Sequence, residues 1–241
     1  MVRRMIKALI LTIIASFGSI IGFILTYLKI SKNNENNIIL LSLSISLIIM
    51  LYISIFDLIP FGFININQNI IITVILIISG VGIVKLINPN NSKELYQIGI
   101  ICMITLMLHN IPEGIITFMS NIANNSIGIK IAISILIHNI PEGICIALPI
   151  YYSTKNRFKS FIYTFIAGIS EPLGGLIFYL IFKNYINYKI IFYLSIIVGG
   201  MMIELSINKL FNKCLNYHND RVFKIGLFLG LVIIILMSIL I

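Results

Sequence analysis

The sequence predicts an all-α, polytopic membrane protein: eight transmembrane helices forming a single domain over residues 1–241. Three observations carry this reading. Of the 241 residues 59% are hydrophobic and only 10% are charged, whereas an ordinary soluble domain is roughly half apolar and a quarter charged. Eight apolar stretches reach the length of about 20 residues that a spanning helix needs. Their runs of Ile, Leu, Phe and Val lack the alternation of a closed barrel. Such a composition excludes a disordered chain, a nucleic-acid-binding domain and a conventional soluble enzyme. Eight spans use about 160 residues, which leaves short loops and no room for a soluble domain.

The first span is predicted at roughly 6–28. Arg3, Arg4 and Lys7 precede it as in a signal peptide, but the apolar run is longer than a signal core and no A-x-A-like site follows, so it is read as a retained span. The second, 38–58, places Ser46, Met50, Ser54 and Asp57 on one face. A thioether in an apolar helix is ordinary packing. The third is 70–87. The fourth, 98–120, carries Cys102, Thr105, His109, Glu113, Thr117 and Ser120 on one face, and the fifth, 127–151, carries Ser134, His138, Glu142 and Cys145. The sixth, 159–182, contains Gly168-Ile-Ser-Glu171-Pro-Leu-Gly-Gly175. The seventh, 189–209, has Gly200 and Glu204 one turn apart, and the eighth is 222–241. Asn-rich stretches at 33–37 and 88–91 read as solvated turns. His218, among Asn216, Asn219 and Asp220, reads as a loop histidine.

Loop cations set orientation. Arg3, Arg4, Lys7, Lys130, Lys183 and Lys189 fall on one side. Lys29, Lys32, Lys85, Lys93, Lys155, Arg157, Lys159, Lys209, Lys213, Arg221 and Lys224 fall on the other. The larger set belongs in the cytoplasm, so both termini are expected outside. Tyr151, Tyr152, Tyr185, Tyr188 and Tyr217 lie near span ends, where amphipathic rings favour the interface. Cys102, Cys145 and Cys214 have no paired spacing and indicate no disulfide framework; the first two read as small buried hydrophobes.

Five of the eight acids, Asp57, Glu113, Glu142, Glu171 and Glu204, fall inside or at the ends of spans, as do His109 and His138. No Lys or Arg is expected mid-span beside them. A charge at the bilayer centre costs at least about 2.5–3.5 kcal/mol, and such groups mark ion paths, proton relays or ligand sites. A single buried acid could be a protonated carboxyl bonded between helices; a cluster of five is not explained that way. His109-Asn-Ile-Pro-Glu-Gly114 recurs identically as His138-Asn-Ile-Pro-Glu-Gly143, 29 positions later. Glu171 follows Glu142 by the same 29. Each hexad sets His and Glu at i, i+4 on one helix face, the spacing of paired metal ligands. Its proline removes an N–H and frees the carbonyl four residues earlier, on Leu108 or Ile137. Opened backbone is tolerated in a membrane where it lines a cavity. Its glycine admits a neighbouring helix or an ion.

At these hexads the chain resembles the ZIP (ZRT/IRT-like) family of divalent metal transporters, in its bacterial zinc-transporter branch. Glu171-Pro-Leu-Gly-Gly on the sixth span, and Met50-Leu-Tyr-Ile-Ser with Asp57-Leu-Ile-Pro on the second, add to the likeness. The resemblance implies eight spans with both termini outside, a plasma-membrane location, homodimers and metal movement into the cytoplasm by one helix bundle sliding on another. It also implies a binuclear site. One position would use His109, Glu113, His138 and Glu142 with Met50 nearby. The adjacent one would use Asn110, Asn139 and Glu171, with Glu113 and Glu142 bridging. Asp57, Ser54, Cys145 and Glu204 are candidates for the path. The loop between spans three and four, often His-rich in relatives, is short here and has no His, and Asn208-Lys209 stands where relatives usually carry Asp-Glu.

Imidazole, carboxylate and amide donors suit Zn²⁺, Fe²⁺, Mn²⁺, Co²⁺ and Cd²⁺. The metal is expected as cargo, with no resident cofactor. Two rivals are an intramembrane zinc metalloenzyme, which lacks an H-E-x-x-H here, and an acid-lined cation channel, for which imidazoles and amides are the wrong lining. The net charge of +9 thus divides into a basic exterior facing the lipid surface and an acidic interior that requires cations; nucleic acid is not an expected partner.

Overall fold

A computed structural model describes residues 2–27, 34–87, 95–182 and 188–240. Every regular element among them is helical. The helices are α1 Val2–Ile24, α2 Glu35–Tyr52, α3 Ile59–Asn65, α4 Ile70–Ile87, α5 Leu95–Ala123, α6 Asn125–Thr154, α7 Arg157–Phe182, α8 Tyr188–Glu204, α9 Asn212–Leu215 and α10 Asp220–Leu240. Each expected span falls on one helical rod. Among the described residues six rods are long and apolar enough to cross a bilayer, and the apolar Ile70–Leu86 is shorter. Ile10 and Phe17 on α1, Ile71, Ile75 and Ile78 on α4, and Phe228 and Ile235 on α10 stand exposed. Rows of large apolar side chains facing outward on this scale suit lipid rather than water. The chain is therefore a multi-pass membrane protein. The Asn88–Asn91 turn and the rest of the short loop between spans three and four lie outside the described residues, as do Lys29, Lys32, Lys93, Lys183 and Tyr185.

Two rods run past their expected ends. Span two continues to Asn65 rather than stopping at 58, through a widened π-helical turn at Ile53–Leu58. Pro60 and Gly62 look like breakers in the sequence. Pro60 instead lies within the continuous rod, in the first turn of α3 directly after the π-helical turn, and its missing N–H leaves one bond of the rod unmade. Span seven likewise continues to Leu215 through a π-helical turn at Leu205–Phe211. Lys209, expected in a cytoplasmic loop, is instead 5% exposed within that turn, with the charge of Glu204 beside it. A buried ammonium persists only where an opposite charge compensates it.

The prolines of the hexads and of span six do not break their helices. Pro112, Pro141 and Pro172 lie inside α5, α6 and α7, which continue through them. The opening expected at each is thus confined to one missing backbone hydrogen bond.

The helices associate in two groups. α5 lies along α7 and α6, and α1 along α6 and α7. α2 pairs with α10, and α4 and α3 pack on α8. The groups meet chiefly through α2 against α6 and α5 against α8. Glycine sets the closeness within the first group. A methyl at Gly114 would overlap the Glu171 carbonyl, and one at Gly143 would overlap the backbone of Ser19. The hexad glycines therefore admit a neighbouring helix, the close approach on which helix association in lipid depends.

One end of the rods carries a belt of cations and tyrosines. Lys155 Nζ contacts Glu35 Oε2 at 2.6 Å. The Arg157 guanidinium lies 4.8 Å from the Tyr27 ring centre and 5.2 Å from that of Tyr151. Lys159 Nζ lies 4.6 Å from the ring of Tyr96, and Lys213 5.7 Å from that of Tyr217. Such pairs suit the headgroup level of a bilayer.

Gly114→Ala should lower stability by about 1–3 kcal/mol, as overpacking does. Gly82→Ala, whose added methyl meets nothing within 4 Å, should leave it unchanged or raise it by up to about 1 kcal/mol. Thermal unfolding of the two variants in one detergent compares them.

Candidate metal centre

Helical spacing aims the hexads at each other. His109 and Glu113 share one face of α5, His138 and Glu142 share one face of α6, and the two helices pack together. All four side chains are buried. The pairing is crossed. His138 Nε2 lies 2.7 Å from Glu113 Oε1, and His109 Nε2 lies 3.1 Å from Glu142 Oε1. His109 Nε2 is also 3.4 Å from Glu113 Oε2, so Glu113 touches both imidazoles. Ligand atoms of His109, Glu113 and His138 all lie within 4.8 Å of one another. Around one tetrahedral ion with bonds of about 2.0–2.2 Å, ligand atoms sit about 3.3–3.6 Å apart. Small side-chain adjustments would bring the three onto one ion.

The two asparagines stand one residue along, and their amides are oriented by backbone. Asn110 Nδ2 donates to the Ala167 carbonyl at 2.8 Å. Asn139 Nδ2 donates to the Ala15 carbonyl at 3.1 Å and to Glu171 Oε2 at 2.8 Å. Carbonyls only accept, so each Nδ2 must face them and each Oδ1 must face away. The result is a buried set of acceptors with no donor: Oδ1 of Asn110 and Asn139, Oε2 of Glu113, both oxygens of Glu142, and Oε1 of Glu171. The 3.1 Å His109–Glu142 contact is a charge contact whose angle does not make a hydrogen bond. Each unsatisfied buried acceptor costs about 1–3 kcal/mol. A divalent cation satisfies several at once, and the donor types are those it takes.

The other candidates divide. Met50 is wholly buried on α2, in a core that also holds Cys102 and Cys145. Ser54 donates to the Met50 carbonyl at 2.7 Å, so its hydroxyl is committed to its own helix. Asp57 and His138 line one cavity of about 190 Å³ together with Tyr52, Ile53, Ser134, Ile234 and Ser238. That cavity leads to the cluster from the far end of α2. Cys145 is wholly buried in the same core as Met50 and Cys102. Among the described residues, Glu204 takes a hydrogen bond from Asn208 Nδ2 at 2.7 Å.

Sequence reasoning missed the contribution of α1 and the backbone partners of Ser46 and Ser170. Ala15 supplies the carbonyl that orients Asn139. The signal was present: Ala15, Gly18, Ser19 and Gly22 form a stripe of small residues at helical spacing, the mark of close helix contact in lipid. Ser46 donates to the Pro141 carbonyl at 2.8 Å, and Ser170 to the Met107 carbonyl at 3.1 Å. These bonds tie α2 and α7 to the hexad helices.

A helical membrane protein with an acceptor-rich His/Glu cluster buried between its rods belongs to the class that handles divalent cations within the bilayer. Comparison with known proteins identifies the family. Residues 90–240 match the family model described as ZIP zinc transporter. Similar proteins include the zinc transporter ZupT of Oceanobacillus iheyensis, 31% identical over 95% of each chain. That of Clostridium perfringens is 29% identical over 96% of this chain and 94% of its own. That of Chlorobium chlorochromatii is 29% identical over 97% of each. The chain belongs to the ZIP zinc transporter family, in its bacterial branch. It is accordingly a divalent metal transporter, which decides against the metalloenzyme reading.

Glu113→Gln preserves volume and removes the charge that both imidazoles touch. Zinc affinity of the purified protein should fall about 100-fold or more, beyond the upper end of what loss of a supporting residue costs. Thr117→Val removes only a hydroxyl bonded to the Glu113 backbone carbonyl at 2.9 Å, and should bind zinc within about threefold of the unchanged protein. Equilibrium titration of both variants tests the contrast.

Proposed function

We propose that the protein carries zinc, and with it Fe²⁺, Mn²⁺, Co²⁺ and Cd²⁺, across the plasma membrane into the cytoplasm through a binuclear site between α5, α6 and α7. The observation that carries this reading is the crossed His–Glu pairing beside a set of buried acceptors that lack donors. His109, Glu113, His138 and Glu142 hold the first ion, with the Met50 thioether nearby. Asn110 Oδ1, Asn139 Oδ1 and Glu171 hold the second, with Glu113 and Glu142 bridging. Imidazole and carboxylate favour borderline divalent ions, while Ca²⁺ and Mg²⁺ prefer shells of oxygen alone.

The cavity bounded by Asp57, Ser134 and His138 is the access from outside. Both termini are external, which puts the Lys155–Arg157–Lys159 belt in the cytoplasm, as loop cations prefer. Metal crosses as the group of α1, α5, α6 and α7 slides against the remaining helices. Packing within that group is more extensive than packing between groups, which favours its moving as a unit. Assembly as a homodimer follows the family.

Proteoliposomes containing the protein should take up Zn²⁺ in preference to K⁺, and Glu113→Ala and His138→Ala should each abolish that flux. Unchanged zinc uptake in both variants would overturn the site. Glu171→Ala should reduce zinc bound at saturation from two ions per chain to one; two ions retained would refute the binuclear arrangement. Uptake should weaken as the outer solution is acidified, because protons compete for the same imidazoles and carboxylates.

A further inference from the structure

The end of the bundle opposite Lys155 holds a cavity away from the metal centre. α1 and α6 run parallel: Gly18 packs on the Leu136 carbonyl, and four residues later Gly22 packs on that of Ile140. Both helices therefore begin at the same end. There Arg4 and Lys7 of α1, Asn121 and Ile122 at the close of α5, and Asn125 at the start of α6 line a cavity of about 240 Å³.

Among the described residues, the charges that line it are of one sign, and no acid stands beside them. Neither α1 nor α6 has an acid in its first turn. A helix start is the positive end of the macrodipole, where carboxylates stabilise and cations do not. Arg4 in the first turn of α1 and Lys7 in the second thus add charge where the backbone is already positive. Ile122 beneath them packs on the core of Ala8, Phe118 and Met119. Asn121 is 4% exposed, and its Oδ1 has no hydrogen-bond partner. Its Nδ2 donates to the Thr117 carbonyl at 2.8 Å. The turn from α5 to α6 is held by its own backbone. Asn124 N donates to the Ser120 carbonyl at 2.9 Å, Gly128 N to the Asn124 carbonyl at 2.9 Å, and Ser126 N to Asn124 Oδ1 at 3.0 Å. The cavity therefore has its shape before anything enters it.

We propose that this cavity binds the headgroup of an anionic phospholipid of the phosphatidylglycerol kind. Arg4 and Lys7 take the phosphodiester, the first as a fork of donors and the second as a point charge. Headgroup hydroxyls donate to the amide oxygens of Asn125 and Asn121. The surface beside the cavity favours a lipid over free phosphate. On the α1 face that carries Lys7, Ile10, Ile14, Phe17 and Ile21 follow at helical spacing, and all four are exposed. Acyl chains attached to a phosphate at Lys7 lie along that row. A choline headgroup brings its own methylated ammonium, which the two cations repel, and has no hydroxyl to donate. Once bound, the lipid ties the start of α1 to the turn between the two hexad helices. The lipid site does not rest on the transport reading.

The test uses the full chain in detergent, titrated with dioleoyl phosphatidylglycerol or dioleoyl phosphatidylcholine and read by native mass spectrometry as lipid bound per chain. Phosphatidylglycerol should bind more tightly. Arg4→Gln/Lys7→Gln should weaken its binding about tenfold or more, the scale of two cations at a charged bilayer surface, and leave phosphatidylcholine binding unchanged. Both side chains are exposed, and an unchanged zinc titration shows that the double variant folds. Arg4→Lys, which keeps the charge, should retain the preference. Arg3→Gln/Lys130→Gln removes two exposed cations that do not line the cavity and should bind phosphatidylglycerol within about threefold of the unchanged protein, since exposed charges are screened by salt. Equal binding of the two lipids, or equal weakening by the two double variants, would reduce Arg4 and Lys7 to diffuse surface charge and overturn the site. Displacement of phosphatidylglycerol by millimolar inorganic phosphate would assign the cavity to a free anion and overturn the lipid.

Discussion

Carboxylates placed beyond the reach of water must be compensated by whatever the fold brings to them. Glu113, Glu142 and Glu171 are each at most 3% exposed, and the rest of the structure is arranged around that constraint. α5 and α6 must lie side by side so that each imidazole reaches the glutamate of the other hexad. α7 must come close enough for Glu171 to accept from Asn139. The hexad glycines make those approaches possible, and the carbonyls of Ala15 and Ala167 hold the asparagines so that their oxygens face away from other donors. Compensation stays incomplete without a cation, because the interior has more acceptors than donors.

Identical hexads do not make identical sites. Asn110 meets only the Ala167 carbonyl, while Asn139 meets the Ala15 carbonyl and the Glu171 carboxylate. Glu113 touches both imidazoles, whereas Glu142 keeps both oxygens free of hydrogen bonds. The difference comes from the third helix. α7 passes Ala167 to one asparagine and, one helical turn later, Glu171 to the other. A repeated sequence thus yields two unlike surroundings for its asparagines and glutamates.

Much of this was legible in the sequence. The eight apolar stretches fall on the eight rods, and the doubled hexads name the residues that the fold brings together. What escaped has physical causes. The π-helical turns at Ile53–Leu58 and Leu205–Phe211 leave no composition signal, since an extra residue in a turn looks like ordinary helix. Pro60 and Asn208-Lys209 then look like ends. Burial of Lys209 beside Glu204 depends on a tertiary neighbour that no local pattern encodes. The part played by α1 was hidden because backbone carbonyls, not side chains, do the work, and only the stripe of Ala15, Gly18, Ser19 and Gly22 hints at it.

The contact between Lys155 and Glu35 takes on a mechanical meaning under the proposed sliding of one helix group on the other. Lys155 follows α6, in the group of α1, α5, α6 and α7, and Glu35 opens α2, in the other group. Arg157 sits over Tyr27 and Tyr151, both within the first group. The lysine bridge spans the seam at its solvent end, as the buried Ser46–Pro141 bond does within it, and it is half in solvent, with side chains 55% and 28% exposed. An ion pair of this kind is worth about 0–1 kcal/mol and is screened within about 8 Å at physiological salt. Under the proposed sliding it would act as a weak latch that thermal motion opens, and the ionic strength of the solution around it would set how often it re-engages.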